Sequence, residues 1–126
     1  LNERNNGENV LKLIQDNQIL SSHDVSNGGL IVALSEMSIT SNYGVKINKP
    51  KKLTNLFKYF FGEDQGRYLL EIDSKNLANI EKFLKDNSIY YENIGFTQKN
   101  YFEIEDEMKI DIKELYKINN EWYNNY

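Results

Sequence analysis

A polar segment that runs through two glycines into an apolar helix constrains this chain more than any other sequence feature. The segment His23-Asp24-Val25-Ser26-Asn27 is followed directly by Gly28 and Gly29, and residues 23–29 are called the first segment below. Apolar residues then recur with helical spacing at Leu30, Ala33, Leu34 and Met37. This spacing predicts a helix over residues 27–38. Because a helix N-terminus presents free N–H groups and a partial positive charge, and glycines permit close approach, the pattern predicts an anion-binding helix start.

A second polar segment, Phe61-Gly62-Glu63-Asp64-Gln65-Gly66-Arg67, leads into an apolar strand pattern, and residues 61–67 are called the second segment below. If it is extended, Glu63 and Gln65 lie on one face, since side chains alternate along a strand. A carboxylate and an amide side by side could bind hydroxyl or amine groups. Arg67 could hold a phosphate or carboxylate through two parallel hydrogen bonds, or it could form a surface salt bridge with Glu63 or Asp64.

The two segments supply every candidate ligand contact in the sequence. These candidates are His23, Asp24, Ser26, Gly28, Gly29, Glu63, Gln65 and Arg67. Asp24 is the candidate metal ligand, because Mg²⁺ prefers carboxylate oxygens together with phosphate, and Gly28 with Gly29 is the candidate phosphate contact. The alternative is structural: a single histidine is more often a hydrogen-bonded structural residue than a catalyst, and Asp24 and the glycines could serve only the turn before the helix.

Patterns along the rest of the sequence predict an α+β fold with a mixed, mainly antiparallel sheet and helices packed on one face. The other predicted helices cover residues 8–17, 53–60 and 74–87 and begin again after Asp111, and the predicted strands cover residues 44–47, 68–72, 89–96, 101–104 and 108–110. The near-continuous apolar run at 68–72 predicts a central strand that is covered on both faces. Val10, Leu11 and Ile14 are expected to form the buried face of the first helix. Ser74 is expected to cap the helix at 74–87, and Asp111 with Glu114 to form a capping box at the start of the last helix. The residues expected to dock the last helix on the domain are Ile112, Leu115, Tyr116 and Trp122.

Length and composition exclude several classes of protein. The 126 residues predict one domain, 1–126. The net charge of −4 argues against a general nucleic-acid binder, and the lack of cysteine excludes disulfides and thiolate metal sites. No apolar run approaches the ~20 residues of a membrane span, so no membrane partner is expected and the cytoplasm is the default location. The polar start at Leu1 indicates a piece of a longer polypeptide.

Taken in this order, the two segments resemble the C-terminal domain of the ATP-dependent synthases of purine biosynthesis, and most closely the formylglycinamidine ribonucleotide synthase family. Residues 23–30 resemble that family's H-D-V-S-D-G-G-L string, residues 33–37 its A-L-A-E-M string, and residues 61–67 its F-G-E-S-Q-x-R string. The resemblance spans residues 8–118. The sequence departs from it at Asn27, where Asp is usual, which removes a charge, and at Asp64, where Ser is usual, which adds one.

The resemblance implies a fold and a place in a larger enzyme. It implies the C-terminal domain fold of the superfamily related to aminoimidazole ribonucleotide synthase. The whole enzyme would convert formylglycinamide ribonucleotide to the amidine with ATP, Mg²⁺ and ammonia delivered from glutamine. Its implied partners are its own other domains, a glutamine amidotransferase subunit and a small accessory subunit. In this family the residues that bind ATP and most catalytic residues lie in the N-terminal-type domains. No catalytic residue is therefore expected in the present domain. The isolated domain is expected to be inactive. Its candidate ligand contacts are expected to line an auxiliary nucleotide pocket or a domain interface.

Three alternatives stay open at this point. The protein could belong to a related ATP-dependent enzyme of aminoimidazole ribonucleotide, selenophosphate or thiamine phosphate chemistry. It could be a stand-alone module that binds a small molecule without catalysis, since two glycines at a helix start would serve that role too. It could also be a structural interaction domain whose polar segments only cap turns.

Overall fold

The computed structural model describes the backbone at residues 2–50 and 55–124 and the side chains at residues 3–50 and 55–121. Its helices are α1 (Asn2–Gln15), α2 (Gly29–Ser41), α3 (Leu56–Phe61), α4 (Leu77–Asp86) and α5 (Ile112–Asn124), with a short 3₁₀ turn at Ser74–Asn76. Its strands are β1 (Ser21–Asp24), β2 (Gly44–Ile47), β3 (Tyr68–Glu71), β4 (Gly95–Gln98), β5 (Tyr101–Ile104) and β6 (Met108–Asp111). The α+β class with mainly antiparallel pairing is confirmed.

The protein divides into two compact units. The first contains the residues up to Ala33 together with Phe61–Glu92, and the second contains Leu34–Phe60 together with the residues from Asn93 onward. Helix α2 begins in the first unit and ends in the second. Among the described residues, no helix has the length and apolar character that crossing a membrane requires.

The first unit is a two-stranded antiparallel sheet packed on helices. Strand β1 pairs with β3 in a register that joins Ser21 to Glu71 and Asp24 to Tyr68. The buried cluster of this unit consists of Leu13, Ile80 and Leu84, and the partly buried Ile19, Leu70, Ile72, Phe83, Ile89 and Tyr91 pack against it. The unit is therefore built around α1 and α4, with the β1–β3 ladder beside them.

Strand β3 is not the central strand that its apolar sequence predicts. Within the described residues β1 is its pairing partner in a two-stranded sheet, and Tyr68 is 37% exposed. The apolar run is explained by packing instead, because Leu70 and Ile72 contact the cluster formed by α1 and α4. Apolar content alone does not distinguish burial beneath helices from burial between strands.

The second unit is a four-stranded mixed sheet in the order β4-β2-β5-β6. Strands β2 and β5 run parallel, and the other two pairings are antiparallel. A Cβ atom at Gly44 would lie 2.0 Å from the carbonyl oxygen of Tyr101, so only glycine permits this approach. The predicted strand at 44–47 and the predicted hairpin of β5 and β6 are confirmed, with Asp106 in the left-handed region (φ 60°) at the turn.

Helix α5 follows the hairpin directly. Asp111 Oδ1 accepts a hydrogen bond from the Lys113 N–H at 2.8 Å, so the predicted capping role of Asp111 is confirmed. Ile112 is buried, whereas Tyr116, which was expected to dock the helix, is 52% exposed. Trp122, also expected to dock it, lies outside the residues with described side chains, as does Leu53 of the predicted 53–60 helix.

Two further predictions are wrong because packing or local hydrogen bonding decides them. Residues 89–94 form no strand: Ile89 and Tyr91 pack against the core of the first unit, and β4 begins only at Gly95. Ser74 does not cap the following helix, because Asp73 Oδ1 accepts the Lys75 N–H at 3.1 Å and starts a 3₁₀ turn first.

Helix α1 begins earlier than predicted and buries a different face. It runs from Asn2 through the polar stretch that the sequence left outside the helix. Leu13 is its buried residue at 3% exposure, whereas Leu11 and Ile14 are 53% and 44% exposed. The expected buried face of Val10, Leu11 and Ile14 is therefore largely open in this structure.

Candidate functional site

The two polar segments lie side by side in the first unit, because β1 and β3 pair antiparallel. His23 and Asp24 end β1, and the second segment leads into the start of β3, so the end of one strand faces the beginning of the other. One more backbone hydrogen bond continues the ladder past both strands, from the Val25 N–H to the Arg67 carbonyl at 2.9 Å. Segments that lie far apart in sequence thus form one continuous surface.

A hydrogen bond from Gly28 to Glu63 joins the two segments directly. The backbone N–H of Gly28 donates to Glu63 Oε1 at 2.7 Å, just before α2 begins at Gly29. A carboxylate that accepts a backbone N–H at a helix start is a charge-assisted hydrogen bond, and the helix dipole favours it. The carboxylate of the second segment thus occupies the helix-start position that an anionic ligand would take.

Only glycine fits at position 28, because of its backbone conformation and because a side chain there would overlap a neighbour. Its φ is +81°, in the left-handed region, and a Cβ atom there would lie 2.3 Å from Val32 Cγ2. The neighbouring Gly29 also has a positive φ of 71°. The Gly29 N–H donates to the Ser26 carbonyl at 3.1 Å, which closes a tight turn.

These contacts bear on the prediction that the two glycines hold phosphate. In this conformation the Gly28 N–H is bonded to a carboxylate and the Gly29 N–H to a backbone carbonyl. A phosphate at this position would have to displace the Glu63 side chain and would meet its negative charge. Phosphate binding by Gly28 and Gly29 stays a prediction, and it requires a rearrangement of the second segment.

Arg67 folds the second segment back on itself. Its Nη2 donates to the Gly62 carbonyl and its Nε to the Asp64 carbonyl at 3.4 Å. Helix α1 braces the same loop, because Asn6 Nδ2 donates to the Gly66 carbonyl at 3.0 Å. The guanidinium thus serves as an internal staple of the segment in this structure.

Ser26, Gln65 and Asp64 lie on the exposed parts of the two segments. The Ser26 and Asp64 carbonyl oxygens accept the hydrogen bonds described above. The side chains of Ser26 and Gln65 are therefore accessible to a ligand or a partner surface, as the sequence interpretation requires.

His23 is fixed by its neighbour on the same strand. Its Nδ1 lies 2.6 Å from the Asp24 carbonyl oxygen and 3.7 Å from Asp24 Oδ1. Since a carbonyl only accepts, the hydrogen bond requires the form of the ring that carries a proton on Nδ1. The Asp24 side chain is 68% exposed, so its carboxylate faces solvent.

The described residues do not form a metal site by themselves. No group of three or more histidine, aspartate or glutamate side chains among them is arranged to hold a metal ion. Asp24 offers a single exposed carboxylate. Because Mg²⁺ demands several oxygen ligands, Asp24 could contribute only one of them, beside phosphate oxygens or other parts of the protein.

An open depression of about 360 Å³ lies beside the first segment, within the same unit. Its lining residues come from α1, β1 and the start of β3, and they are Gly7, Val10, Leu11, Ile14, Ser22, His23, Asp24 and Tyr68. The sequence pattern predicts Val10, Leu11 and Ile14 as core residues and therefore does not reveal this surface. The one indication of this surface in the sequence is Leu13, which lies on a different side of α1 and gives the helix a second apolar side to bury.

Comparison with known proteins places these features in a family context. Residues 1–105 match the family described as AIR synthase related protein, C-terminal domain. The phosphoribosylformylglycinamidine synthase subunit PurL of Pelagibacter ubique (strain HTCC1062) is 45% identical over 125 residues, which make up 99% of this chain and 17% of that protein. The chain thus spans about a sixth of the length of this curated relative.

Solved structures share the fold. The structure described as PurLQS from Thermotoga maritima superposes with a TM-score of 0.77 at 14% identity, covering 90% of this chain and 21% of that chain. The structure of T. maritima PurL complexed with ATP gives a TM-score of 0.75 at 13% identity, covering 89% of this chain and 21% of that chain. At such low identity the likeness shows the fold.

Proposed function

The chain belongs to the family of the AIR synthase related protein, C-terminal domain, and from this premise we propose that it serves as a domain of phosphoribosylformylglycinamidine synthase. The observation that carries the proposal is the likeness to a PurL subunit along nearly the whole length of the sequence. The whole enzyme would use ATP and ammonia from glutamine to convert formylglycinamide ribonucleotide to the amidine in purine biosynthesis. This activity requires further domains besides this one.

Within that enzyme we assign to this domain structural and positioning roles and no catalytic residue. The N–H groups of Gly28 and Gly29 and the guanidinium of Arg67 are bonded to protein acceptors, so they hold the two segments in a fixed arrangement. The depression beside them combines an exposed apolar side of α1 with the polar His23 and Asp24. An apolar surface with a polar rim of this kind suits contact with another domain of the same synthase.

Nucleotide binding is part of the proposal in a limited form. A solved relative of this fold is described as complexed with ATP, which supports a nucleotide-binding role for the whole enzyme. If this domain touches that nucleotide, the proposed contacts are His23, Asp24, Ser26, Gly28, Gly29, Glu63, Gln65 and Arg67. Asp24 would then supply one carboxylate to a Mg²⁺ ion that is held mainly by phosphate oxygens.

The proposed partners follow from the same reaction. Ammonia from glutamine calls for a glutamine amidotransferase subunit, and we propose a small accessory subunit beside it. The relative described as PurLQS supports an assembly with further subunits. A biosynthetic role of this type fits the cytoplasm.

The full-length protein tests the proposal directly. Incubated with formylglycinamide ribonucleotide, ATP, Mg²⁺ and ammonium ions, it should release ADP and form the amidine in equal amounts. ATP consumption that depends instead on the amidine, on selenide or on thiamine phosphate would assign the protein to another branch of the superfamily. A protein without ATP consumption on any of these substrates would leave the non-catalytic binding module as the correct interpretation.

A further inference from the structure

The first segment contains an asparagine followed by glycine in an exposed turn. Asn27 is exposed and lies between β1 and α2. An asparagine side chain loses its amide when the next backbone nitrogen attacks its carbonyl carbon. Gly28 has no side chain to hinder that attack, and its φ of +81° places it outside regular structure. The Asn-Gly pair therefore lies in a turn between β1 and α2, and not within a helix or a strand.

A carboxylate lies on the attacking nitrogen. Glu63 Oε1 accepts the Gly28 N–H at 2.7 Å. A general base must lie within hydrogen-bond reach of the proton that it removes, roughly 2.6–3.2 Å between heavy atoms. The reaction at Asn27 needs the loss of this same proton before or during attack. The contact that joins the two segments thus also places a base at the reacting nitrogen.

We propose that Asn27-Gly28 is a self-modification site at which Glu63 promotes conversion of Asn27 to aspartate or isoaspartate. Glu63 takes the proton of the Gly28 nitrogen as that nitrogen bonds to Asn27 Cγ. The bond between Cγ and Nδ2 of Asn27 then breaks, and ammonia leaves with the proton returned to it. The product is a five-membered succinimide. Water opens this ring at either carbonyl, so that one water enters and one ammonia leaves, with no oxidant or reductant.

The modification changes the charge and backbone of the first segment. Aspartate at position 27 adds a carboxylate next to the start of α2. Aspartate is also the residue type usual at this position in the family that the sequence resembles. Isoaspartate moves the backbone through the former side chain and lengthens it by one carbon. Either product alters the surface that Glu63 and Gly28 hold together. The inference does not depend on the proposed synthase activity.

The protein has a matched internal control at Asn6-Gly7. This second Asn-Gly pair lies inside α1, where the Asn6 side chain donates to the Gly66 carbonyl at 3.0 Å. In a helix the backbone nitrogen is held in an i to i−4 hydrogen bond and is turned away from attack on the preceding side chain. The two sites share the Asn-Gly pair and differ in their structural setting.

The test compares the two sites in the folded and the unfolded protein. The full-length protein is incubated at mildly alkaline pH in heavy-oxygen water, folded or in concentrated urea, and peptides that contain position 27 or position 6 are analysed by mass spectrometry. We expect heavy oxygen to enter position 27 of the folded protein roughly tenfold or more faster than position 6, and faster than position 27 reacts in urea. Equal rates at the two sites of the folded protein, or a faster reaction at position 27 in urea, would overturn the proposal.

The variant Glu63→Gln isolates the role of the carboxylate. The glutamine oxygen can accept the same Gly28 N–H but is a far weaker base. We expect the folded variant to modify Asn27 several-fold more slowly than the wild type, and both proteins to react alike in urea. An equal or faster reaction in the folded variant would show that Glu63 does not promote the step. If the variant does not fold, the comparison of folded and unfolded wild type decides the question alone.

Discussion

Glu63 and Gly28 lie 35 positions apart in sequence, and the carboxylate of the first accepts the backbone N–H of the second at 2.7 Å. This bond, together with the β1–β3 ladder, fixes the second polar segment against the start of α2. The conformation of Gly28 and the charge of Glu63 are both needed for it. Substitutions at either residue test how strongly the contact holds the first unit.

We expect Gly28→Ala to destabilise the protein by about 2 kcal/mol or more, since the new methyl group overpacks the site in a left-handed conformation. Its Cβ would lie 2.3 Å from Val32 Cγ2. Urea unfolding followed by circular dichroism measures the change. Adding Val32→Ala should restore part of the loss, because Val32 is 37% exposed and its removal relieves the overlap.

Gly7→Ala is the matched control for that substitution. Gly7 lies within α1, where alanine is favoured over glycine by about 0.5–1 kcal/mol. Its added Cβ would lie 3.2 Å from the Tyr68 hydroxyl, at the end of a side chain. We expect the free energy of unfolding to change by close to zero, because the helix preference for alanine offsets the close contact with Tyr68. A loss as large as that of Gly28→Ala would mean that the overlap with Val32 is not the cause.

Removal of the Glu63 carboxylate should free the Gly28 amide. We expect the amide proton resonance of Gly28 to move upfield in Glu63→Ala, because a hydrogen bond to a carboxylate shifts that resonance downfield, while Glu63→Gln keeps the acceptor and most of the shift. The loss of stability in Glu63→Ala should be modest, about 1 kcal/mol, because the group is exposed and water replaces the lost partner. An unchanged Gly28 amide resonance in Glu63→Ala would contradict the contact.

The second unit should lose stability in acid through Glu103. Lys46 Nζ lies 3.0 Å from Glu103 Oε1, and this hydrogen bond lowers the pKa of Glu103 below its ordinary value of 4.5. A carboxyl whose folded pKa is lowered contributes stability above its unfolded pKa, and that contribution is lost as the pH falls through the folded pKa. We expect Glu103→Gln to be less stable than the wild type at neutral pH and the difference to vanish below the folded pKa. Urea unfolding at a series of pH values measures this, and a difference that does not vary with pH would contradict it.

The parts that could be predicted from sequence are those decided by neighbouring residues. The hairpin of β5 and β6 follows from apolar alternation around an acidic turn, and the capping of α5 follows from Asp111. The strand at 44–47 is bounded by a glycine at its start. Each of these depends on interactions within a few positions, so the local pattern is sufficient.

The parts that could not be predicted depend on contacts between distant positions. The pattern of α1 permits either Leu13 or the Leu11 side to face inward, and only packing on α4 decides for Leu13. The bond between Glu63 and Gly28 likewise requires the pairing of β1 with β3. The sequence therefore identifies the residues of the candidate site as two separate motifs. It does not predict the hydrogen bond that joins them.

The open side of α1 yields a last prediction about the full-length protein. Leu11 and Ile14 are 53% and 44% exposed and line the depression next to His23. If another domain covers this surface, Leu11→Asp should place a charge in an apolar contact and lower synthase activity and thermal stability of the full-length protein. Leu20→Asp is the matched control, because Leu20 is 65% exposed and lies outside the lining of the depression. Equal behaviour of the two variants would show that the depression is not an interface, whereas a selective loss in Leu11→Asp would identify this side of α1 as the surface that the synthase uses for assembly.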